Sequence, residues 1–199
     1  MKNILLGVTG SIAAYKSPEL VRQLRAHGFS IKVVLTESAK EFVTETTLQA
    51  VSLNPVRSNL WDKEAEAVMN HIELARWADY ILIAPTTANF MAKIARGSAD
   101  DLLTTLCLAT KAKIVISPAM NHVMWGNSAV QENRNILLNR GIVIIDPETG
   151  DQACGETGIG RMPEPEFIVA FLINKVMNID RPLTGKKVLI TAGPTRESI

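Results

Sequence analysis

Cysteine is scarce in this chain: there are two among 199 residues, Cys107 inside an apolar run at 102–109 and Cys154 set among glycines. That count excludes a disulfide framework and leads us to expect a reducing compartment, the cytoplasm. Net charge is nearly absent as well. The 21 Lys and Arg against 20 Asp and Glu leave +1 at pH 7, without the basic excess of a dedicated nucleic-acid binder. No apolar run approaches the ~20 residues of a membrane helix. The first strand-like stretch, residues 3–9, is too short for a signal-peptide core, and no small-residue cleavage site follows it. Internal repeats and low-complexity segments are missing too, and no metal site is expected. What the chain does have is 47% hydrophobic residues, enough for one sizeable domain with a buried core.

Short β-branched apolar runs at 4–8, 31–35, 80–84, 113–117 and 142–145 alternate with helix-periodic stretches at 17–26, 88–96, 101–109 and 128–140. Near-continuous apolar character suits strands covered on both faces. The pattern therefore predicts an α/β fold, an open doubly wound parallel sheet of the Rossmann or flavodoxin-like kind. Gly28, Gly97 and Gly141 stand just past three helix ends, where a left-handed stop is needed. Ligands of such a sheet bind outside the carboxyl ends of its strands. Gly10 and Ser11 follow the first strand, Thr36 and Ser38 the second, Thr87 and Asn89 the third, and Asn121 the fourth.

The turn Gly7-Val-Thr-Gly-Ser-Ile12 joins the first strand to the first helix. Free N–H groups at a helix start, with the Ser11 hydroxyl, would cradle an anion. The turn lacks the third glycine of the dinucleotide fingerprint, and glycine is equally at home there as a plain structural element. Asn121 lies in Pro118-Ala-Met-Asn-His-Val-Met-Trp125. Its amide suits recognition of a carboxylate, or a cap on the next helix. His71 follows Asn70 at a helix start, placed as a general base or as a surface imidazole. In Gly150-Asp-Gln-Ala-Cys-Gly-Glu-Thr-Gly-Ile-Gly-Arg-Met-Pro163, four glycines predict a flap that is neither helix nor regular strand. A thiol on that flap could swing over a substrate as an acid or nucleophile, or be incidental to it. Cys107 reads as core, His27 as a contact at a helix end, and His122 as a loop histidine. Arg161 has two readings of equal weight, a substrate-phosphate contact and a surface ion pair.

Taken together, the three segments around His71, Asn121 and Cys154 resemble the flavin-containing cysteine decarboxylases, over residues 2 to about 180. The resemblance implies FMN as cofactor, bound at Gly10, Ser11, Ile12, Thr36, Ser38, Thr87, Ala88, Asn89 and Ala119. It implies substrate contacts at Asn121, Asp151, Gln152 and Ala153, with His71 and Cys154 catalytic. Within the family the match is to the branch that converts 4'-phosphopantothenoylcysteine to 4'-phosphopantetheine in coenzyme A biosynthesis. The route passes through a thioaldehyde and an ene-thiolate, the thiol of Cys154 serving as the final acid. Homo-oligomers, trimers or multiples of trimers, are implied as well. Two positions depart from the usual pattern: Phe90, where a small or polar residue is common, and Glu156, where Asp is usual.

Residues 181–187 read as a linker, and 188–199 as a new strand and glycine turn. That ending resembles the start of a phosphopantothenate–cysteine ligase domain, so the chain is expected to break off inside a bifunctional enzyme. Two rival readings share the flavin. A peptidyl-cysteine decarboxylase would stop at the ene-thiol and need no Cys154 acid. A non-catalytic flavin-binding regulator would tolerate loss of one of the three residues, all of which are present.

Overall fold

A computed structural model describes residues 2–62 and 69–177 of the protein. The linker expected at 181–187 and the ligase-like tail expected at 188–199 lie outside the described residues. Five parallel strands form one sheet: β1 (Asn3–Val8), β2 (Ser30–Leu35), β3 (Tyr80–Thr86), β4 (Lys113–Pro118) and β5 (Val143–Ile144). Their order, β2-β1-β3-β4-β5, is the flavodoxin-like one, with its topological switch between β1 and β3.

Successive strand residues point to opposite faces, and each face feeds its own core. Ile4, Leu6, Val8, Leu82 and Val115 pack on one side, under α1 (Ser17–Ala26), α2 (Glu45–Ser52) and α8 (Pro165–Phe171). Leu5, Ile81, Ile83 and Ile116 pack on the other, under α3 (His71–Trp77), α4 (Ala88–Arg96), α5 (Leu102–Ala109) and α7 (Ser128–Asn139). Among the described residues no helix is long and apolar enough to cross a membrane.

Local chemistry starts and stops these helices. The Thr87 side chain accepts the Phe90 N–H to open α4, and Asp101 and Thr104 form a reciprocal capping box at α5. Gly28, Gly97 and Gly141 each take a positive φ at the expected stops. Asp101 and Arg140, expected inside helices, are instead the caps that bound them, and the strand expected at 142–145 pairs only over Val143–Ile144.

The glycine-rich flap is a correction. It is not irregular: β6 (Glu148–Asp151) and β7 (Thr157–Arg161) pair as an antiparallel hairpin, with Gly150 opposite Gly158. The ladder uses backbone groups, which glycine supplies as well as any residue. Its cost is entropic and is met here by docking onto α6 (His122–Gly126). The first helix spans the expected residues, Ser17–Ala26, and the structure adds a turn before it. A five-residue 3₁₀ turn, Ile12–Lys16, separates Ser11 from α1, so the α-helix does not start at the glycine turn.

Thr9 closes the carboxyl edge of the sheet. Its hydroxyl donates to the Pro85 carbonyl at 2.9 Å and accepts the Thr87 N–H at 3.0 Å, so the loops after β1 and β3 are tied through one buried atom. Replacing it by the near-isosteric Val strands the Thr87 N–H. Denaturant unfolding of Thr9→Val should show a loss of roughly 1–3 kcal/mol; a change below ~0.5 kcal/mol would mean the bond does not hold the edge.

Candidate active site

A cavity of about 600 Å³ opens at the carboxyl ends of the strands. Four loops wall it: Gly10–Ile12 after β1, Thr87 and Ala88 after β3, Ala119–Asn121 after β4, and Asp151–Cys154 at the hairpin tip. A smaller cavity of about 300 Å³ adjoins it and shares Thr87; Thr36, Ser38 and Asn89 line that one. At Gly10, a Cβ would stand 2.5 Å from the Ser38 side chain, so no larger residue fits between these loops. The sequence-predicted positions are thus brought to two neighbouring cavities, with one exception. His71 is half-buried as the first residue of α3, and neither cavity of its own chain is lined by it.

The donors fit a flat cofactor with a polar tail. The larger cavity has mainly apolar walls, and the smaller offers the hydroxyls of Thr36 and Ser38, which lie 3.2 Å apart, with the Asn89 amide nearby. Ser11 Oγ accepts the Ala13 N–H at 3.3 Å and keeps its proton to donate. Phe90, at the position that departs from the usual pattern, is buried in the core and also lines the smaller cavity.

Asn121 does two jobs. Its Oδ1 accepts the Val123 N–H at 2.8 Å, capping α6. Its Nδ2 faces the hairpin tip, 2.8 Å from Glu156 Oε2, 3.1 Å from Gln152 Oε1 and 3.5 Å from Cys154 Sγ. Glu156 also accepts from the Cys154 thiol at 3.4 Å, and His122 Nδ1 lies 3.6 Å from the same carboxylate. These contacts hold the Glu156 carboxyl below the usual carboxylate range, the Asn121 amide contributing most and the Cys154 thiol next.

Several contributors were not legible beforehand. Lys16 is 6% exposed, lines the cavity, and donates to the Met162 carbonyl at 3.0 Å and Glu164 Oε1 at 2.7 Å. A lysine beside a predicted helix gives no signal of such burial. Arg161 pairs with the same Glu164 at 3.2 Å, so of its two readings the ion pair is present. Gly160 lets β7 press against the Met120 carbonyl, where a Cβ would clash, and Met120 N–H donates to Gly160 O at 3.0 Å.

The chain matches the flavoprotein family over residues 1–177. It is 53% identical over 198 residues to the coenzyme A biosynthesis bifunctional protein CoaBC of Vibrio cholerae, covering 100% of this chain and 49% of that one. The chain therefore spans about half the length of the curated relatives it matches. Among solved structures it is similar to a PPC decarboxylase mutant complexed with pantothenoylaminoethenethiol, at 32% identity and a TM-score of 0.74, covering 86% of this chain and 96% of that one. It is also similar to the FMN-dependent cysteine decarboxylase SpaF, at 32% identity and a TM-score of 0.73, covering 87% and 97%.

The two thiols differ sharply. Cys107, on α5, is half-buried against the core, and desolvation pushes its thiol up to about 12, whereas Cys154 is exposed at the hairpin tip. At pH 8 the Cys107 thiol therefore stays protonated and unreactive. Titration of the folded protein with a disulfide reagent should therefore count one fast thiol, lost in Cys154→Ser. Two fast thiols would show that the Cys107 environment opens in solution.

Proposed function

The chain belongs to the flavoprotein family, and from that premise we propose that it is the FMN-dependent decarboxylase part of a bifunctional enzyme of coenzyme A biosynthesis, converting 4'-phosphopantothenoylcysteine to 4'-phosphopantetheine. One observation carries the reading: Asn121 Nδ2 and Cys154 Sγ meet 3.5 Å apart over a cavity floored by the Gly10–Ser11 turn. A carboxylate-binding amide and a transferable proton are thereby held at one place.

Gly10, Ser11, Ile12, Thr36, Ser38, Thr87, Ala88, Asn89 and Ala119, which line the two cavities, would hold the cofactor, with the Gly10–Ser11 turn cradling its phosphate. FMN, when bound, supplies the two-electron acceptor that lets the carboxylate leave and returns the hydride afterwards. The chain's own groups do the rest. Asn121 orients the substrate carboxylate, and Asp151, Gln152 and Ala153 cover it and exclude water. Cys154 then delivers a proton to the ene-thiolate left by loss of carbon dioxide.

His71 acts in the oxidative half as a base or electrostatic aid, reaching the site of a neighbouring subunit. That neither cavity of its own chain is lined by it supports this. The enzyme is cytoplasmic, and residues 188–199 begin the ligase domain of the longer protein, after a linker at 181–187.

Single-turnover assays under anaerobic conditions test the assignment. Cys154→Ser should still release carbon dioxide but accumulate the ene-thiol, with the final protonation slowed about 10²–10⁴-fold. His71→Asn should release none. Normal phosphopantetheine formation by Cys154→Ser would remove the acid role.

The shared site has its own test. Sedimentation of the active protein should give trimers or multiples of trimers, and an active monomer would sink it.

A further inference from the structure

Asn121 has no N–H left over for a carboxylate. Its oxygen is committed to the Val123 N–H, and its two N–H groups face three acceptors on the hairpin, nearest of them Glu156 Oε2 at 2.8 Å. A substrate carboxylate can reach that amide only if one hairpin acceptor leaves. Gln152 is a poor candidate to do so. Its Oε1 also accepts the His122 N–H at 3.1 Å, so its departure would strand a second donor. Glu156 sits at the exposed end of the turn, with over half of its side chain in solvent. Two carboxylates on one amide would repel each other, so the arriving one and Glu156 exclude each other.

We propose that Glu156 is an internal stand-in for the substrate carboxylate, a specificity-determining latch on Asn121 that a carboxylate-bearing ligand displaces and that a decarboxylated ligand does not. The proposal rests on the reading of Asn121 as the carboxylate contact. Displacement has a second effect: Glu156 leaves the Cys154 thiol along with Asn121, because Oε2 accepts from both. The thiol is thus released toward the cavity in the same event that seats the substrate. Once carbon dioxide has left and Cys154 has given its proton to the ene-thiolate, nothing anionic competes for Asn121, and Glu156 returns. Loss of the carboxylate is thereby read as the signal that the turn of the hairpin closes back on itself.

A latch and a scaffold make opposite predictions. If Glu156 only braced the hairpin, removing it would weaken every ligand. If it competes with the substrate carboxylate, removing it strengthens ligands that carry one and leaves others alone. The probes are the serine analogue of the substrate, which keeps the carboxylate and lacks the thiol, and its decarboxylated ethanolamine counterpart. Calorimetric titration of the flavin-loaded protein with each should show Glu156→Ala binding the serine analogue about two- to fivefold more tightly, the scale of one exposed charged contact. The ethanolamine compound should bind wild type and variant alike, and Glu156→Gln should fall between them. Equal weakening of both compounds, or no change in the serine analogue, overturns the latch while leaving the decarboxylase reading intact. Failure of wild type to bind either compound overturns the substrate reading, and the latch with it. Flavin content equal to wild type confirms that the variants are folded.

Discussion

A parallel sheet covered on both faces leaves one place for chemistry. In β1, β3 and β4 the backbone is spent on the ladder and the side chains on two cores, so no functional group can project from the strands themselves. Everything polar has to come from the loops at the carboxyl edge, and those loops must be held without a core of their own. The Thr9 hydroxyl does this at the switch between β1 and β3, where a buried atom joins two loops whose strands are neighbours in the sheet but distant in the chain. Remove that constraint and the Gly10 turn and Thr87 lose their common reference.

The hairpin over the cavity is built unevenly. Its root is fixed by buried or backbone contacts: Lys16 on the Met162 carbonyl and Glu164, and Met120 N–H on Gly160. Its tip is held by exposed side-chain bonds around Glu156, of the kind that salt and water weaken readily. A lid that must open for a substrate and close over it needs that gradient, firm at the hinge and exchangeable at the end. Glycine at 150, 158 and 160 serves close packing against Arg161, His122 and Met120 more than it serves flexibility.

The fold was largely legible because its signals are local. Each strand was a β-branched run long enough to stand out, and each of three helices ended at a glycine that now takes positive φ. The hairpin was misread because its ladder is made by backbone groups, and a run such as Gly158-Ile-Gly-Arg161 offers no alternation to betray it. Candidate site residues at strand ends could be ranked from order alone, since the doubly wound sheet gathers them. Lys16 and Thr9 could not, because their importance lies in partners 146 and 76 residues away. His71 gave no such order: it starts a helix, and neither cavity of its own chain is lined by it.

Charge at the site follows from pairing rather than from excess. Lys16 and Arg161 share Glu164, and Lys93 beside the smaller cavity is flanked by Asp100 at 2.7 Å and Asp101 at 3.1 Å. Hydrogen bonding to Asp100 does most to hold the Lys93 ammonium above its ordinary range; desolvation opposes it, and a lesser bond to Asp101 adds to it. With its cations paired in this way, the edge presents mainly hydroxyls and amides to a ligand. Such neutral donors recognise an anion by geometry, so an oxygen in the wrong place gains little from long-range attraction. That is the setting in which a single carboxylate at the hairpin tip makes a difference. On a strongly cationic surface Glu156 would be one anion among many competitors. Among neutral donors, its hold on Asn121 is the charged contact that an incoming carboxylate has to replace.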